Sequence, residues 1–279
     1  MKADLHIHSY YSDGMYSPTE LARLAQKNGV RLASVTDHDN FMGDEEKRRV
    51  FSDMGITYVS GIEISAYENE KKIHLTGYAF DCASPLLKEY QKELFENSIE
   101  RLYDVLEKLK RYKGIELTAE EVYAQQALQG IPVHTMHVVK ALKEKRLYKT
   151  YRDVFRDCFL PGLPTYSFVG RLTPEQAIDR IHSLGGICCI AHPGRLDMGF
   201  EEREKIIYRL KEMGVDGMEC FYSTHTEEQT AYFEGLCEKL GLFRSGGSDF
   251  HSDFGSREIG KPYFQPSDEF LRALKVRLP

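Results

Sequence analysis

Near its start the chain alternates histidine with aliphatic residues, in Asp4-Leu5-His6-Ile7-His8, and runs directly into a polar loop, Ser9-Tyr10-Tyr11-Ser12-Asp13-Gly14. Successive side chains of a strand point to opposite faces, so Asp4, His6 and His8 share one face and Leu5 and Ile7 the other. Two imidazoles two positions apart on a strand can converge on one cation, and Asp13 in the glycine-ended loop can add an oxygen. A polar face on a solvated edge would explain this stretch alone, but the pattern recurs. His38 sits in Thr36-Asp37-His38-Asp39, Glu63 in Gly61-Ile62-Glu63 and His74 in Ile73-His74-Leu75. His192 sits in Ala191-His192-Pro193-Gly194, and Asp249 and His251 in Ser248-Asp249-Phe250-His251. Each is placed at the end of an apolar, strand-like run. A fold that uses them must gather strand ends from across the chain around several metal ions.

The order of elements fits that demand. Ser17-Pro18-Thr19-Glu20 combines a capping box with proline at the first helical position, and predicts a helix that Asn28-Gly29 ends. A strand over Val30–Val35 then delivers Thr36-Asp37-His38. A helix opened by Asp44-Glu45-Glu46 and closed by Met54-Gly55 comes next. Residues Ile56–Ile64 read as one strand carrying Glu63, and Lys71–Phe80 as its antiparallel partner with His74 in the middle, joined by the turn Glu68-Asn69-Glu70.

From 85 to 162 strand signals nearly vanish. Helices are expected over Leu86–Lys113, after the capping box Thr118-Ala119-Glu120-Glu121, and over His134–Leu147. Beyond it, Thr173 caps a helix, and strands at Ile187–Ala191, Asp216–Phe221 and Leu242–Ser245 alternate with helices at Glu201–Met213, Thr226–Leu240 and 267–276. The chain therefore reads as a discontinuous α/β domain, 1–84 and 163–279, interrupted by a mostly helical insertion, 85–162. Alternating strands and helices imply a mostly parallel sheet, and ligands at strand C-termini favour a barrel-like closure.

Composition bounds the rest. Net charge is −6 in 279 residues, which argues against a broad surface for long duplex nucleic acid. None of the six cysteines forms a C-x-x-C pair, and Cys188 and Cys189 are neighbours in an apolar run, so buried free thiols in a reducing compartment are expected. The ligand strand leaves no room for a signal peptide, and no apolar run reaches membrane-spanning length; a cytoplasmic location is the resulting expectation.

Six histidines (His6, His8, His38, His74, His192, His251) and three carboxylates (Asp13, Glu63, Asp249) suit two or three divalent ions better than one. Imidazole-rich donors favour zinc, iron or manganese over magnesium and calcium. Adjacent ions suit phosphate-ester hydrolysis, because they acidify water and clamp the attacking and leaving oxygens.

These motifs, taken in order, resemble those of the PHP (polymerase and histidinol phosphatase) family of metal-dependent phosphoesterases. His6-Ile7-His8, Thr36-Asp37-His38, Ala191-His192-Pro193-Gly194 and Ser248-Asp249-Phe250-His251 match its four motifs, and Glu63 and His74 fall where ligands are expected. Within the family the chain looks most like the branch of nucleoside 3′,5′-bisphosphate phosphatases and short-RNA exonucleases. The resemblance implies a distorted (β/α)7 barrel and three metals. His6, His8, Glu63 and Asp249 would hold one, Glu63, His74 and His192 a second, and Asp13, His38 and His251 the third. One departure stands out: the Arg-Pro-His phrase common in that branch is replaced by Thr135-Met136-His137, which leaves phosphate gripping to His134, His137 or Lys140.

Other residues invite roles of their own. Arg195 is suited to gripping a second phosphate. His225, at a strand end, is a candidate to protonate the leaving group. Tyr10, Tyr11 and Tyr16 could stack on a base, whereas His182 reads as solvated. The expected activity is hydrolysis of nucleotide phosphates by a metal-activated hydroxide, on a bisphosphate or a short oligonucleotide end, with water or His225 protonating the leaving oxygen. Hydrolysis of histidinol phosphate, a catalytically idle metal-binding regulatory module and a metal-dependent amidohydrolase are the competing readings.

Overall fold

The computed structural model describes residues 1–279 except 70, 197, 254–255 and 277–279. Strands β1 (Ala3–Ile7), β2 (Leu32–Val35) and β3 (Thr57–Tyr58) form a parallel three-stranded sheet. Strands β4 (Gly61–Glu68), β5 (Lys71–Tyr78), β6 (Ile187–Ile190), β7 (Gly217–Tyr222) and β8 (Phe243–Gly247) form a five-stranded sheet in that order. In it β5 runs antiparallel to both neighbours, whereas β6, β7 and β8 are parallel. The expected mostly parallel sheet is thus divided in two, and the β4–β5 hairpin accounts for its antiparallel part.

The two sheets touch at both ends. On one side Asp249 N–H donates to His6 O (2.7 Å) and His8 N–H to Phe250 O (2.9 Å). On the other, Asp39 N–H donates to Glu63 O (2.8 Å) and Glu63 N–H to Asp37 O (3.1 Å). The single strand expected over Ile56–Ile64 is two strands in different sheets. The chain crosses between the sheets at Val59–Ser60, and Gly61 lies so close to Ser34 and Thr36 that a β-carbon would overlap them. Such an approach admits only glycine.

Helices α1 (Pro18–Lys27) and α2 (Asp44–Asp53) pack on the first sheet with Ile7, Val35 and Phe250. The Ser17 capping box is formed, with Ser17 Oγ accepting from Glu20 N–H. Four helices come next without a strand among the described residues: α3 (Pro85–Lys113), α4 (Ala119–Tyr123), α5 (Thr135–Glu144) and α6 (Tyr151–Cys158). The last lies outside the helices expected from the sequence, although Thr150 and Asp153 form its capping box. These helices enclose an apolar cluster of their own, with Leu102, Val105 and Leu109 of α3 at its centre. The first half of α3 instead packs on the larger core through Leu94, Leu87 and Tyr90, so one helix belongs to two cores.

The remaining helices, α7 (Pro174–Ser183), α8 (Phe200–Glu212), α9 (Glu227–Leu240) and α10 (Asp268–Ala273), alternate with strands or close the chain. All six cysteines are free, and Cys188 and Cys189 enter different apolar clusters, as alternation along β6 requires. No described helix is long and apolar enough to cross a membrane.

Two contacts fix β1 against β8. The buried Asp4 carboxylate accepts from Ser248 N–H (2.9 Å) and Gly260 N–H (2.7 Å). Gly247 lies against His6 so closely that a β-carbon there would overlap the His6 Cβ and backbone nitrogen. Overpacking of this kind typically destabilises by about 1–3 kcal/mol. Gly247→Ala is therefore expected to lower the melting temperature of the metal-free protein by several degrees, about 2–4 °C per kcal/mol. An unchanged melting curve would show that β1 and β8 can separate freely.

Candidate metal centre

The nine ligand candidates come from six places: β1 and its loop, the end of β2, β4, β5, the end of β6 and the end of β8. Glu63 and His74 do not lie at strand ends. They are the third and fourth residues of β4 and β5, facing the site because that hairpin starts and ends beside it. Glu63 is fully buried and is the hub. Its Oε2 lies 3.2 Å from His6 Nε2, 3.2 Å from His8 Nε2 and 3.0 Å from His38 Nδ1. Its Oε1 lies 2.6 Å from His74 Nδ1 and 2.9 Å from His192 Nε2.

Three groups of donor atoms converge: His6, His8, Glu63 and Asp249; His38, Glu63 and His74; and His8, Asp13, His38 and His251. His192 joins the second, its Nε2 lying 3.2 Å from His74 Nδ1. In the third, Asp13 Oδ1 is 3.3 Å from His251 Nε2, and Asp13 Oδ2 is 3.9 Å from His38 Nε2.

The donor set fits divalent cations on an independent ground. Despite these short separations, His6 Nε2, both ring nitrogens of His8, His38 Nδ1, Asp13 Oδ1 and Glu63 Oε2 are buried without a hydrogen-bond partner among the described residues. Buried polar atoms left unpaired in one place are rare and costly, and divalent cations at the three groups would satisfy them, apart from the one nitrogen of His8 that keeps its proton. The electrostatics agree. Against the effect of burial, the imidazoles of His74, His38 and His6 hold Glu63 well below the usual carboxylate range. Burial opposes charge on His8 as well, yet Asp249 and Glu63 raise its pKa to about 9. Burial pushes His74 down to about 4.

Backbone strain is concentrated here. His192 (φ +28°) and Asp249 (φ +53°) both adopt left-handed backbone, an arrangement that side chains other than glycine rarely take and that clusters at functional sites. Two groups hold the strained segments. Glu219 of β7 accepts from His192 N–H (2.7 Å), and its other oxygen lies 3.2 Å from His6 Nδ1, which orients the first imidazole. Asp249 divides its oxygens. Oδ1 faces His8 Nε2 at 3.2 Å, while Oδ2 meets Arg257 Nη1 at 2.8 Å, Arg195 Nη1 at 3.2 Å and the Tyr222 hydroxyl at 2.7 Å.

Glu219 and Arg257 do not stand out in the pattern of strand-end ligands. A carboxylate inside the apolar strand Gly217-Met218-Glu219-Cys220 is a usable signal; Arg257 carries none.

Three expected substrate or proton-transfer residues are placed differently. His225 Nε2 accepts from Gly194 N–H (3.1 Å) and its Nδ1 donates to Cys220 O (2.9 Å), so both nitrogens are spent on backbone. It braces the Pro193–Arg195 turn instead of presenting a proton. His137 is buried, and its Nδ1 accepts from His134 N–H (3.1 Å), capping α5. Arg195 reaches the metal-side carboxylate. His134, in contrast, has a buried, unpartnered Nε2, and its ring centroid lies 6.3 Å from that of His38. His182 pairs with Asp216 at the surface. Tyr11 donates to Glu46 (2.8 Å), and Tyr16 packs on Phe250.

His134 borders a cavity of about 100 Å³ that also touches Asp13, His38, Asp39, Lys72, Arg101 and Arg171. Arg101 is almost fully buried and, among the described residues, donates only to the backbone oxygens of Asn97 and Val169. Burial and the neighbouring Arg171 push its pKa down to about 10. Arg171 approaches Asp39 at 3.7 Å, and its Nε is buried without a partner. A larger cavity of about 720 Å³ opens from the metal centre past Arg195, Arg257, Lys140 and Tyr151.

Residues 4–158 match the family described as the PHP domain. The chain is 31% identical to the 3′,5′-nucleoside bisphosphate phosphatase of Chromobacterium violaceum, covering 92% of this chain and 90% of that protein. It is 33% identical to a 5′-3′ exoribonuclease of Haemophilus influenzae, covering 93% of each. Among solved structures, an amidohydrolase from Chromobacterium violaceum with bound sulfate and no metal superposes with a TM-score of 0.84 at 30% identity, over 98% of this chain and 97% of that one.

Because Glu63 serves two donor groups and Asp13 one, their loss has different consequences. Glu63→Gln is expected to reduce bound metal by two ions, and Asp13→Ala by at most one, by elemental analysis after reconstitution with manganese. Equal losses in the two variants would refute Glu63 as the shared ligand.

Proposed function

The chain belongs to the PHP domain family, and on that premise we propose that it hydrolyses phosphate esters of nucleotides, its substrate a nucleoside 3′,5′-bisphosphate or the end of a short oligonucleotide. Two or three divalent ions, with manganese, zinc or iron suiting the mixed imidazole and carboxylate donors, would be held in three sets. His6, His8, Glu63 and Asp249 form the first, Glu63, His74 and His192 the second, and Asp13, His38 and His251 the third. When bound, such ions acidify water and offset charge on the phosphoryl oxygens. The two sheets that meet at both edges are read as a distorted (β/α)7 barrel, and residues 85–162 as an insertion overhanging its active face.

The chain's own residues supply the remainder. Arg195 and Arg257, anchored on Asp249 Oδ2, face the scissile phosphate and orient its oxygens. Tyr222 holds both guanidiniums, with Arg257 Nη2 donating to its hydroxyl at 2.7 Å and Arg195 Nη1 at 3.1 Å. Glu219 and His225 keep the His192 turn in place. Solvent in the open cavity protonates the leaving oxygen, because His225 has no free nitrogen.

The observation that carries the nucleotide reading is the small cationic cavity adjoining the metal centre. Arg101 and Arg171 line one buried space with Lys72 and His134, and the carboxylates there are Asp39, 3.7 Å from Arg171, and Asp13, so three cationic side chains face two anionic ones. Like charges in low dielectric call for an anion. Asp13 and His38 line both sites, so a molecule with one phosphate at the ions can place a second one here. The small cavity takes over the grip expected of Arg195, and Arg101 and Arg171 supply guanidinium where the insertion phrase carries Thr135.

Arg171→Met is expected to lower kcat/KM on a 3′,5′-bisphosphate by about 10- to 100-fold, equivalent to about 1–3 kcal/mol of transition-state binding, and to change p-nitrophenyl phosphate hydrolysis little. Arg195→Ala is expected to lower both equally. A hydrolysis screen over phosphomonoesters and short oligonucleotides with manganese checks both variants. Equal loss on both substrates in the Arg171 variant would remove the second-phosphate assignment.

A further inference from the structure

We infer that Lys47 and Asp37, which belong to none of the donor groups, form a buried positioning pair that sets the Asp13 loop and thereby decides whether the third ion is held. The inference rests on the metal reading above and concerns only the Asp13, His38 and His251 site.

Lys47 is 2% exposed, although Arg48 and Arg49 beside it on α2 are exposed. A lysine is almost never buried unless its charge is matched. Its Nζ lies 2.6 Å from Asp37 Oδ2, donates to Met42 O at 2.9 Å, and sits 5.0 Å from the centre of the Tyr11 ring. Asp37, itself fully buried, spends the rest of its acceptor capacity on one loop. Its Oδ1 accepts from Ser9 N–H and Ser12 Oγ–H, each at 2.7 Å, and its Oδ2 from Ser9 Oγ–H at 2.7 Å. Ser9 in turn anchors the turn, its carbonyl accepting from Ser12 N–H (3.0 Å) and Gly14 N–H (3.1 Å). Asp13 lies between those two donors.

The chemistry needs the pair as a pair. Only an ionised carboxylate can accept from all these donors while donating nothing, and an ionised carboxylate at this depth needs a counter-charge. Lys47 supplies it without touching a ligand. The other two donor groups depend on this loop less: His8 precedes Ser9 and His38 follows Asp37, but both are pinned by bonds between the sheets, His8 N–H to Phe250 O (2.9 Å) and, beside His38, Asp39 N–H to Glu63 O (2.8 Å), and the remaining ligands come from β1, the β4–β5 hairpin and the turns after β6 and β8. A fault in the pair should therefore reach one ion and spare the others.

The test titrates metal-free protein with Mn²⁺ by calorimetry, counts retained ions by elemental analysis, and records melting of the metal-free forms. It compares the parent, Lys47→Arg, and the doubly substituted Asp37→Asn/Lys47→Met. The double variant leaves no unpaired charge, so it separates positioning from folding. The expected result is a cooperative melt in the double variant and loss of one ion, or weakening of the weakest site by about tenfold or more. The other ions should hold at parental affinity, and Lys47→Arg should retain the third.

A double variant that binds the full set at parental affinity would overturn the inference. So would a loss spread evenly over all ions, or a double variant that no longer melts cooperatively, which would make the pair a determinant of folding. A parent that takes up no Mn²⁺ would instead refute the metal reading on which the inference rests.

Discussion

Glu63 stands without solvent contact among five imidazoles, and most of the architecture serves to keep it there. An isolated buried carboxylate is expensive, and so is a buried ring of imidazoles. Together they offset each other only in part, because several facing atoms lack hydrogen-bond geometry. Multivalent cations complete the balance. The sheet arrangement serves that centre: β4 brings Glu63, its hairpin partner brings His74, and the two seams between the sheets set His6 and Asp249 on one side and Glu63 and Asp37 on the other. Left-handed backbone at His192 and Asp249 is tolerated because Glu219 grips the His192 amide and the paired arginines grip the Asp249 carboxylate.

Chemistry and selectivity are built from different material. The donor atoms ride on strands and strand-end turns, where hydrogen-bonded ladders limit movement. The second cavity is assembled from α3, the residue capping α5, and Arg171 on the returning segment. Because α3 packs into two apolar cores, Arg101 is fixed relative to both the sheets and the helical cluster. On the function proposed, a cation whose place depends on both cores would measure how far a second phosphate lies from the first, which a flexible surface lysine could not do.

Legible and hidden features of the chain separate along a physical line. Strand-end ligands and capping boxes are local: His6-Ile7-His8, Ser17 to Glu20 and Thr173 to Gln176 carry their meaning within a few residues, and their elements form as expected. The break between β3 and β4 was hidden because it depends on Gly61 meeting Ser34 and Thr36 of another strand. The convergence of Arg101 and Arg171 was hidden for the same reason, their separation in sequence being large. Lys47 lies between these cases. It shares a helical face with Val50 and Phe51, and a charge on an apolar face is a local signal of a buried partner.

Histidines near the site show why residue type alone misassigns roles. His225 and His134 both lie beside the metal centre, yet His225 has given both nitrogens to backbone atoms and His134 keeps one buried and unpartnered. The same distinction separates the arginines. Arg195 and Arg257 are held on Asp249 at 3.2 and 2.8 Å, so much of their charge is already answered and their remaining donors can adjust to an incoming phosphate. Among the described residues Arg101 has backbone oxygens alone as partners, and Arg171 keeps an unpartnered Nε against a carboxylate 3.7 Å away. Positive charge that Asp13 and Asp39 answer only in part, in a buried cavity, is an energetic demand for a ligand, and one the metal centre does not meet because it too is short of negative charge once cations bind. On the function proposed, an ester with a single phosphate would satisfy the ions and leave the second demand unmet, whereas a molecule with two phosphates would satisfy both, and that difference would be the physical basis for discrimination.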